Sequence, residues 1–385
     1  MADLRVSVTE AFRHRFGAPP AHVVRAPGRV NLIGEHTDYN DGFVMPLAIE
    51  QAVWLAVGPR DDDRVVLHST RAPEPADFRL GAMERGDGWG EYAKGVAWAL
   101  QAQGHELRGL EGVLASDVPE GAGLSSSAAL ELAVARALSE GAGLDWDPAV
   151  MARTAQRAEN EWVGVRCGVM DQMASACGVA GHAVLLDCRS LAVTPTPLPA
   201  WTTVLVLDTG TRRGLVDSAY NARRETCERV ARVLSVPALR DATLDGLQAA
   251  EDVLTPTQMR RARHVVTENA RVLAAAEAMR QGDAARVGAL MAASHASLRD
   301  DYEVSSPALD AFVEAAQAQP GCYGARMTGA GFGGCVVALV ASDRAEAVAE
   351  AATLAYRQRT GHAPTAYRVR AVGGASLEPV PALFL

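Results

Sequence analysis

Residues 119–129 read Pro119-Glu120-Gly121-Ala122-Gly123-Leu124-Ser125-Ser126-Ser127-Ala128-Ala129, and the helical pattern ELAVARALSEG follows within two residues. Ahead of them GLEGVLASDV (109–118) has the composition of a buried strand. Strand, glycine turn and helix in that order make a ready anion site. Glycines let the backbone curl closely round a ligand, and the helix start offers unpaired N–H groups and a positive dipole end. A plain capped helix needs one serine. Three in a row, after two glycines, exceed that need and add hydroxyl donors or a metal ligand.

Outward from this loop, strand and helix patterns alternate. HVVRAP (22–27), FVMPLAIEQAVWLAVG (43–58) and RVVLHS (64–69) make the first stretch β-rich, broken by turn signals at Asn40-Asp41-Gly42 and Gly58-Pro59-Arg60. GEYAKGVAWALQAQG (90–104), MARTAQRAENEWVG (151–164) and MDQMASACG (170–178) are helical, and AVLLDC (183–188) is a short strand. LAVTPTPLPA (191–200), rich in Pro and Thr, reads as the connection between domains. The division is placed at 195/196, giving 1–195 and 196–385. The second part opens on the strand TTVLVLDTG (202–210), continues through Ala/Arg-rich helices and ends with MTGAGFGG (327–334) leading into CVVALVA (335–341). A chain of 385 residues is long for one core. The predicted class is α+β, two-lobed, with mixed sheets packed by helices.

Composition excludes several functions. The net charge is −9 with no basic block, which argues against nucleic acid as a partner. No apolar run is long enough to span a bilayer, and the N-terminal residues lack a signal-like apolar core, so the expected compartment is the cytoplasm. The six cysteines form no CxxC pair and no zinc spacing, and read as reduced thiols. Lys94 is the only lysine, and no GK[ST] sequence exists. Charge on a bound phosphate must therefore be met by arginine, backbone amides or a metal.

Three further constellations stand out. Arg29-Val-Asn-Leu-Ile-Gly-Glu35-His36-Thr37-Asp38-Tyr39-Asn-Asp-Gly42 is a strand pattern collapsing into a polar cluster suited to sugar hydroxyls. The residues alone leave a solvated loop and a pocket wall equally open. Glu159 and Asp171 flank Gly168. Surface acids are the ordinary reading, but Asp171 has apolar neighbours and falls in a first helical turn, where the dipole favours its charge. Gly329-Ala-Gly331-Phe-Gly-Gly334 fits GxGxxG, yet a strand rather than a helix follows it, and no HRD or DFG accompanies it. A dehydrogenase or protein kinase is therefore rejected. What remains is a tight loop that brings backbone near a phosphate or the facing domain.

Together these segments closely resemble the galactokinases, within the GHMP group of small-molecule kinases. GRVNLIGEHTDYNDGFVMP (28–46) resembles the galactokinase signature, GAGLSSSAAL the phosphate-binding motif and MTGAGFGGC the third motif; CGVMDQ (167–172) and Asp217-Ser-Ala-Tyr220-Asn-Ala-Arg-Arg also match. The resemblance implies a fold with its active site in the cleft between lobes. It implies that Glu35, His36, Thr37 and Asp38 bind sugar hydroxyls, helped by Gly168 and Tyr220. Gly121, Ala122, Gly123, Leu124, Ser125, Ser126 and Ser127 would wrap the phosphates of ATP, and Ser127 and Glu159 would hold Mg2+. Asp171 would be the base facing the C1 hydroxyl of galactose, with Arg29 stabilising the transition state.

Two departures are Asn160, where many members have histidine, and Val165-Arg166 before Cys167, where others have proline. Neither changes a residue with an assigned role. The rival expectations are a kinase for N-acetylgalactosamine or arabinose, and a galactose- and ATP-binding regulator without turnover. With no apolar patch or heptad to argue otherwise, a monomer is expected.

Overall fold

The computed structural model describes residues 3–119, 121–211 and 216–382, without the side chains of 216–218. Its frame is the long hairpin of strands His22–Asn31 and Pro46–Pro59, with Val23 opposite Ala56 and Val30 opposite Leu47. The hairpin sits in a six-stranded sheet ordered Ser376–Glu378, His22–Asn31, Pro46–Pro59, Leu110–Ser116, Arg64–Ser69, Ala76–Arg79. Arg64–Ser69 runs parallel to Leu110–Ser116 and the other pairs are antiparallel, so the sheet is mixed. Alternation along Pro46–Pro59 splits its residues between two cores. Leu55 and Val57 pack under the helices Gly90–Ala102, Ser126–Ala142, Pro148–Arg157 and Met170–Cys177. Ala56 faces the opposite side, against Val8 and Phe12 of the helix Leu4–Phe16.

That first helix escapes the β-rich reading of the first stretch because its buried stripe is only Val8, Thr9 and Phe12. Its signals are in the caps. Asp3 accepts from the Arg5 N–H at 3.0 Å, and Gly17 ends the helix at φ 77°.

The second half centres on a four-stranded antiparallel sheet ordered Cys322–Thr328, Cys335–Ala341, Thr202–Asp208, Thr365–Val369. Leu205, Leu207, Val336 and Val340 face the helices of this half. Val204, Val206, Val337 and Leu339, in alternation, face Leu32, Ile33, Leu47 and Ile49 of the first half. The two-domain arrangement is thus sealed by a shared apolar core.

LAVTPTPLPA is more than a connection. Val193–Pro197 is a strand at the edge of a three-stranded sheet with His182–Asp187 and Phe43–Val44. An edge strand tolerates Pro195 and Pro197, whose missing N–H groups hid it from the sequence reading. Beyond 195/196, the strand Ser376–Glu378 returns to pair with His22–Asn31. All six cysteines are free. Among the described residues, no helix is long and apolar enough to cross a membrane.

Candidate active site

One cavity gathers most of the predicted residues: Arg29, Glu35, His36, Asp38, Gly121, Gly123 to Ser127, Glu159, Gly168, Asp171 and Tyr220. Two predicted residues do not reach it. Ala122 is buried, and Thr37 is fully buried with its hydroxyl bonded to the carbonyls of Gly34 and Phe43. Glu120 and the side chains of Asp217 and Ser218 lie outside the described residues.

The centre of the cavity is Asp171. The strand His22–Asn31 shifts register between Pro27 and Arg29, a bulge that re-aims Arg29. Arg29 clamps Asp171 with two bonds, Nε to Oδ1 at 2.8 Å and Nη2 to Oδ2 at 2.7 Å, and its Nη1 donates to the Gly123 carbonyl at 2.6 Å. Ser175, four residues on and so on the same helix face, donates to the Pro27 carbonyl at 2.7 Å. The helix Met170–Cys177 is thereby pinned to the bulge at two levels, leaving the Asp171 side chain 28% exposed.

Ser125 has a role beyond the predicted one. It sits before the helix Ser126–Ala142 in left-handed backbone, φ 59°, and its hydroxyl makes no cap bond. Instead Ser125 Oγ donates to Asp171 Oδ2 at 2.5 Å. A non-glycine residue held there is strained by about 1–3 kcal/mol. The strain turns the hydroxyl toward the carboxylate and leaves the helix start without a side-chain cap, a suitable cradle for a phosphate. Serine at a helix start gives no sequence signal for this, because capping is its ordinary use.

Glu159 lies in a π-helical turn, Ala158–Val163, a widening that displaces a side chain from regular spacing. Its carboxylate accepts from Gln172 Nε2 at 2.7 Å and from the Ser127 hydroxyl. Gln172 also donates to Glu131, fully buried, at 3.1 Å. Burial, then the charge of Asp171, pushes Glu159 up to about 7. Burial and the Glu159 charge push Glu131 well above the carboxylate range. Among the described residues no group of three or more His, Cys, Asp or Glu could cage a metal. Ser127 and Glu159 are a hydroxyl and a carboxylate, a hard oxygen pair. That fits a small divalent cation that takes its remaining ligands from water and phosphate.

Around the cluster 35–38, Asp38 packs so tightly on Gly168 that a Cβ there would lie 1.9 Å from Asp38 Oδ2. Burial, then the Asp171 charge, pushes Asp38 up to about 7. His36, at φ 64°, bonds Tyr39 through Nδ1 at 2.8 Å, and burial keeps it neutral. Tyr39 bonds Tyr302 at 2.7 Å, and the Tyr220 ring lies 5.7 Å from His36. Glu35 is 1% exposed although it borders the cavity. It takes donors from the Gly329 N–H at 2.6 Å, Thr328 Oγ1 at 3.0 Å, Arg326 Nη1 at 3.5 Å and Asn31. The third-motif loop thus brings its backbone to the facing domain, at Glu35. Asn160 donates to the Cys167 carbonyl at 3.3 Å and accepts from its thiol. This departure from the family pattern therefore helps hold the strap that carries Gly168.

The family models agree with this layout. The galactokinase galactose-binding signature matches residues 10–59, the GHMP kinases N terminal domain 91–179, and the GHMP kinases C terminal domain 275–358. A galactokinase of Chloroflexus aurantiacus is 48% identical over 358 residues, 91% of this chain and 92% of the relative. The chain belongs to the galactokinase family. The crystal structure of Lactococcus lactis galactokinase complexed with galactose superposes with a TM-score of 0.91 at 36% identity, covering 96% of this chain and 98% of that one. The mevalonate kinase of L. major in complex with R-mevalonate shares the fold alone, with a TM-score of 0.62 at 20% identity over 92% of this chain and 99% of its own. Membership in the galactokinases and in the wider GHMP kinases makes the protein an ATP-dependent sugar kinase.

Proposed function

We propose that the protein transfers the γ-phosphoryl group of ATP to the C1 hydroxyl of D-galactose, in the cytoplasm and as a monomer. The observation that carries this reading is the Arg29–Asp171–Ser125 constellation, set between the serine loop and the cluster 35–38 in one cavity. Phosphoryl transfer needs alignment and charge neutralisation more than covalent help. Asp171, held from two sides, is oriented to accept the hydroxyl proton. Arg29 faces the developing negative charge, and the helix start at Ser126 receives phosphate oxygens with its N–H groups. Ser127 and Glu159 would hold Mg2+, which when bound neutralises phosphate charge. Asp38, Gly168, His36 and Tyr220 form the sugar wall. A sugar hydroxyl donating to Asp38 favours its ionised form.

The test is ADP release by purified protein with ATP and Mg2+ over galactose, N-acetylgalactosamine, arabinose and glucose. Turnover on galactose well above the others supports the reading. Preference for another sugar moves the assignment to that sugar, and binding of galactose without turnover would make the protein a regulator. Ser127→Ala should raise the Mg2+ concentration giving half-maximal rate; an unchanged requirement removes Ser127 from the metal site.

A further inference from the structure

The part of the sugar wall formed by Glu35, His36 and Asp38 hangs on a loop, residues 34–43, between the strands His22–Asn31 and Pro46–Pro59, at whose base the Met45 N–H bonds the Ile33 carbonyl at 3.0 Å. Both ends of that loop are held by one helix of the second half, Pro256–Arg280. At the entry, Glu268 Oε1 accepts the Gly34 N–H at 3.0 Å. At the exit, Asn269 Oδ1 accepts the Phe43 N–H at 2.8 Å. Between them, His264 Nε2 donates to the Glu35 carbonyl at 3.1 Å. His264 and Glu268 are four residues apart and so share a face. Val272 continues that face, and its Cγ2 would be 2.9 Å from a Cβ at Gly34. A Cβ at Gly42 would meet Asn269 Oδ1 at 2.5 Å, so the loop is fitted to the helix at both glycines.

The anchors are themselves fixed. Glu268 is fully buried and also accepts from Ser294 Oγ at 2.5 Å and Arg271 Nε at 2.6 Å. Asn269 returns its amide to the Val265 carbonyl at 3.0 Å. Side chains locked in this way set a backbone to a fraction of an ångström, and Glu35, His36 and Asp38 all ride on the backbone they set.

We infer that Asn269 and Glu268 are positioning residues for sugar recognition, acting from the second domain on the loop that carries Glu35, His36 and Asp38. The inference rests on the sugar-kinase reading above, but neither residue lines the cavity or touches the serine loop, so its signature differs from loss of catalysis.

The experiment compares Asn269→Ala with wild type, after wild type has identified the preferred sugar on the panel above; failure of the galactose reading would already be visible there. Removing the acceptor of a buried N–H should raise KM for that sugar about tenfold, with a matching rise in the Kd measured by calorimetry. KM for ATP and kcat should stay within about twofold, and the preference for the best sugar over its nearest rival should narrow. A merely structural role would lower the active fraction, reducing apparent kcat with both KM values unchanged; that result overturns the inference. Should Asn269→Ala fail to fold, Glu268→Gln keeps the shape but replaces one of two accepting oxygens with a donor, so either the Gly34 N–H or Arg271 Nε loses its acceptor and the anchor loosens. A threefold or greater rise in sugar KM alone then supports the inference, and an unchanged sugar KM overturns it.

Discussion

The corner around Asp171 and the loop 34–43 share one cavity but are built in opposite ways. Among the described residues, the bonds that position Asp171 come from the first half: Arg29 from the bulged strand, Ser125 from the serine loop, Ser175 through its own helix. The loop has fixings of its own at Thr37 and Asn31 but borrows others from the second half, through His264, Glu268 and Asn269 and through Thr328 and Gly329 on Glu35. On the function proposed above, catalytic alignment is local to one domain, whereas sugar recognition depends on how the two domains sit together. A perturbation of the interface should reach KM for the sugar before it reaches the chemical step.

The largest effect isolates the first region. Asp171→Asn keeps the shape and removes the proton acceptor, so kcat should fall by about three orders of magnitude or more, while galactose affinity stays within a few-fold of wild type. A kcat within about tenfold of wild type, a barrier change of only about 1.4 kcal/mol, would end the assignment of Asp171 as the base. Next comes the seam between the regions. Gly168→Ala places a methyl 1.9 Å from the Asp38 carboxylate, so Asp38 or the strap must move. Galactose binding should weaken by about a hundredfold, with KM for ATP little changed. If calorimetry finds galactose affinity intact, the two regions are not in register at Gly168.

Much of this layout was legible in the sequence, and what was hidden had a physical reason. The serine loop declares itself by residue type in an unusual context, whereas the cluster 35–38, Glu159 and Asp171 stay open between surface and site on residue type alone and, with Tyr220, take their roles from the family resemblance; the cavity collects these residues except Thr37 and Ala122. Local periodicity marks four of the six strands of the first sheet, all but Ala76–Arg79 and Ser376–Glu378, and the helices Gly90–Ala102 and Met170–Cys177. It missed Leu4–Phe16, whose buried stripe is narrow, and Val193–Pro197, whose prolines mimic a linker. It also missed the anchors. His264 and Glu268 stand four apart on a long helix among arginines and alanines, where the ordinary fate of such residues is a solvated face. Only the fold, by laying that helix beneath residues 34–43, makes them matter. Ser125 adds a contact that its place at a helix start conceals: its hydroxyl is turned to Asp171.

The smallest expected effect probes the second region through protons. His264 is fully buried, and burial lowers it to about 4 from an ordinary value near 6.5, with Glu268 opposing. Above pH 6.5 the imidazole is neutral in folded and unfolded chains alike and imposes no penalty. As pH falls from 6.5 toward 4 the unfolded chain takes up a proton that the folded chain refuses, and stability is lost through that window. The full shift corresponds to about 3 kcal/mol. His264→Gln keeps an amide donor for the Glu35 carbonyl and has no proton to bind, so the loss of stability between pH 7 and 4.5 should shrink by about 2 kcal/mol in urea melts. Should the variant lose stability with pH as steeply as wild type, the acid sensitivity lies elsewhere, with His295 next in line, lowered to about 4 by burial and set 3.1 Å from Asp310.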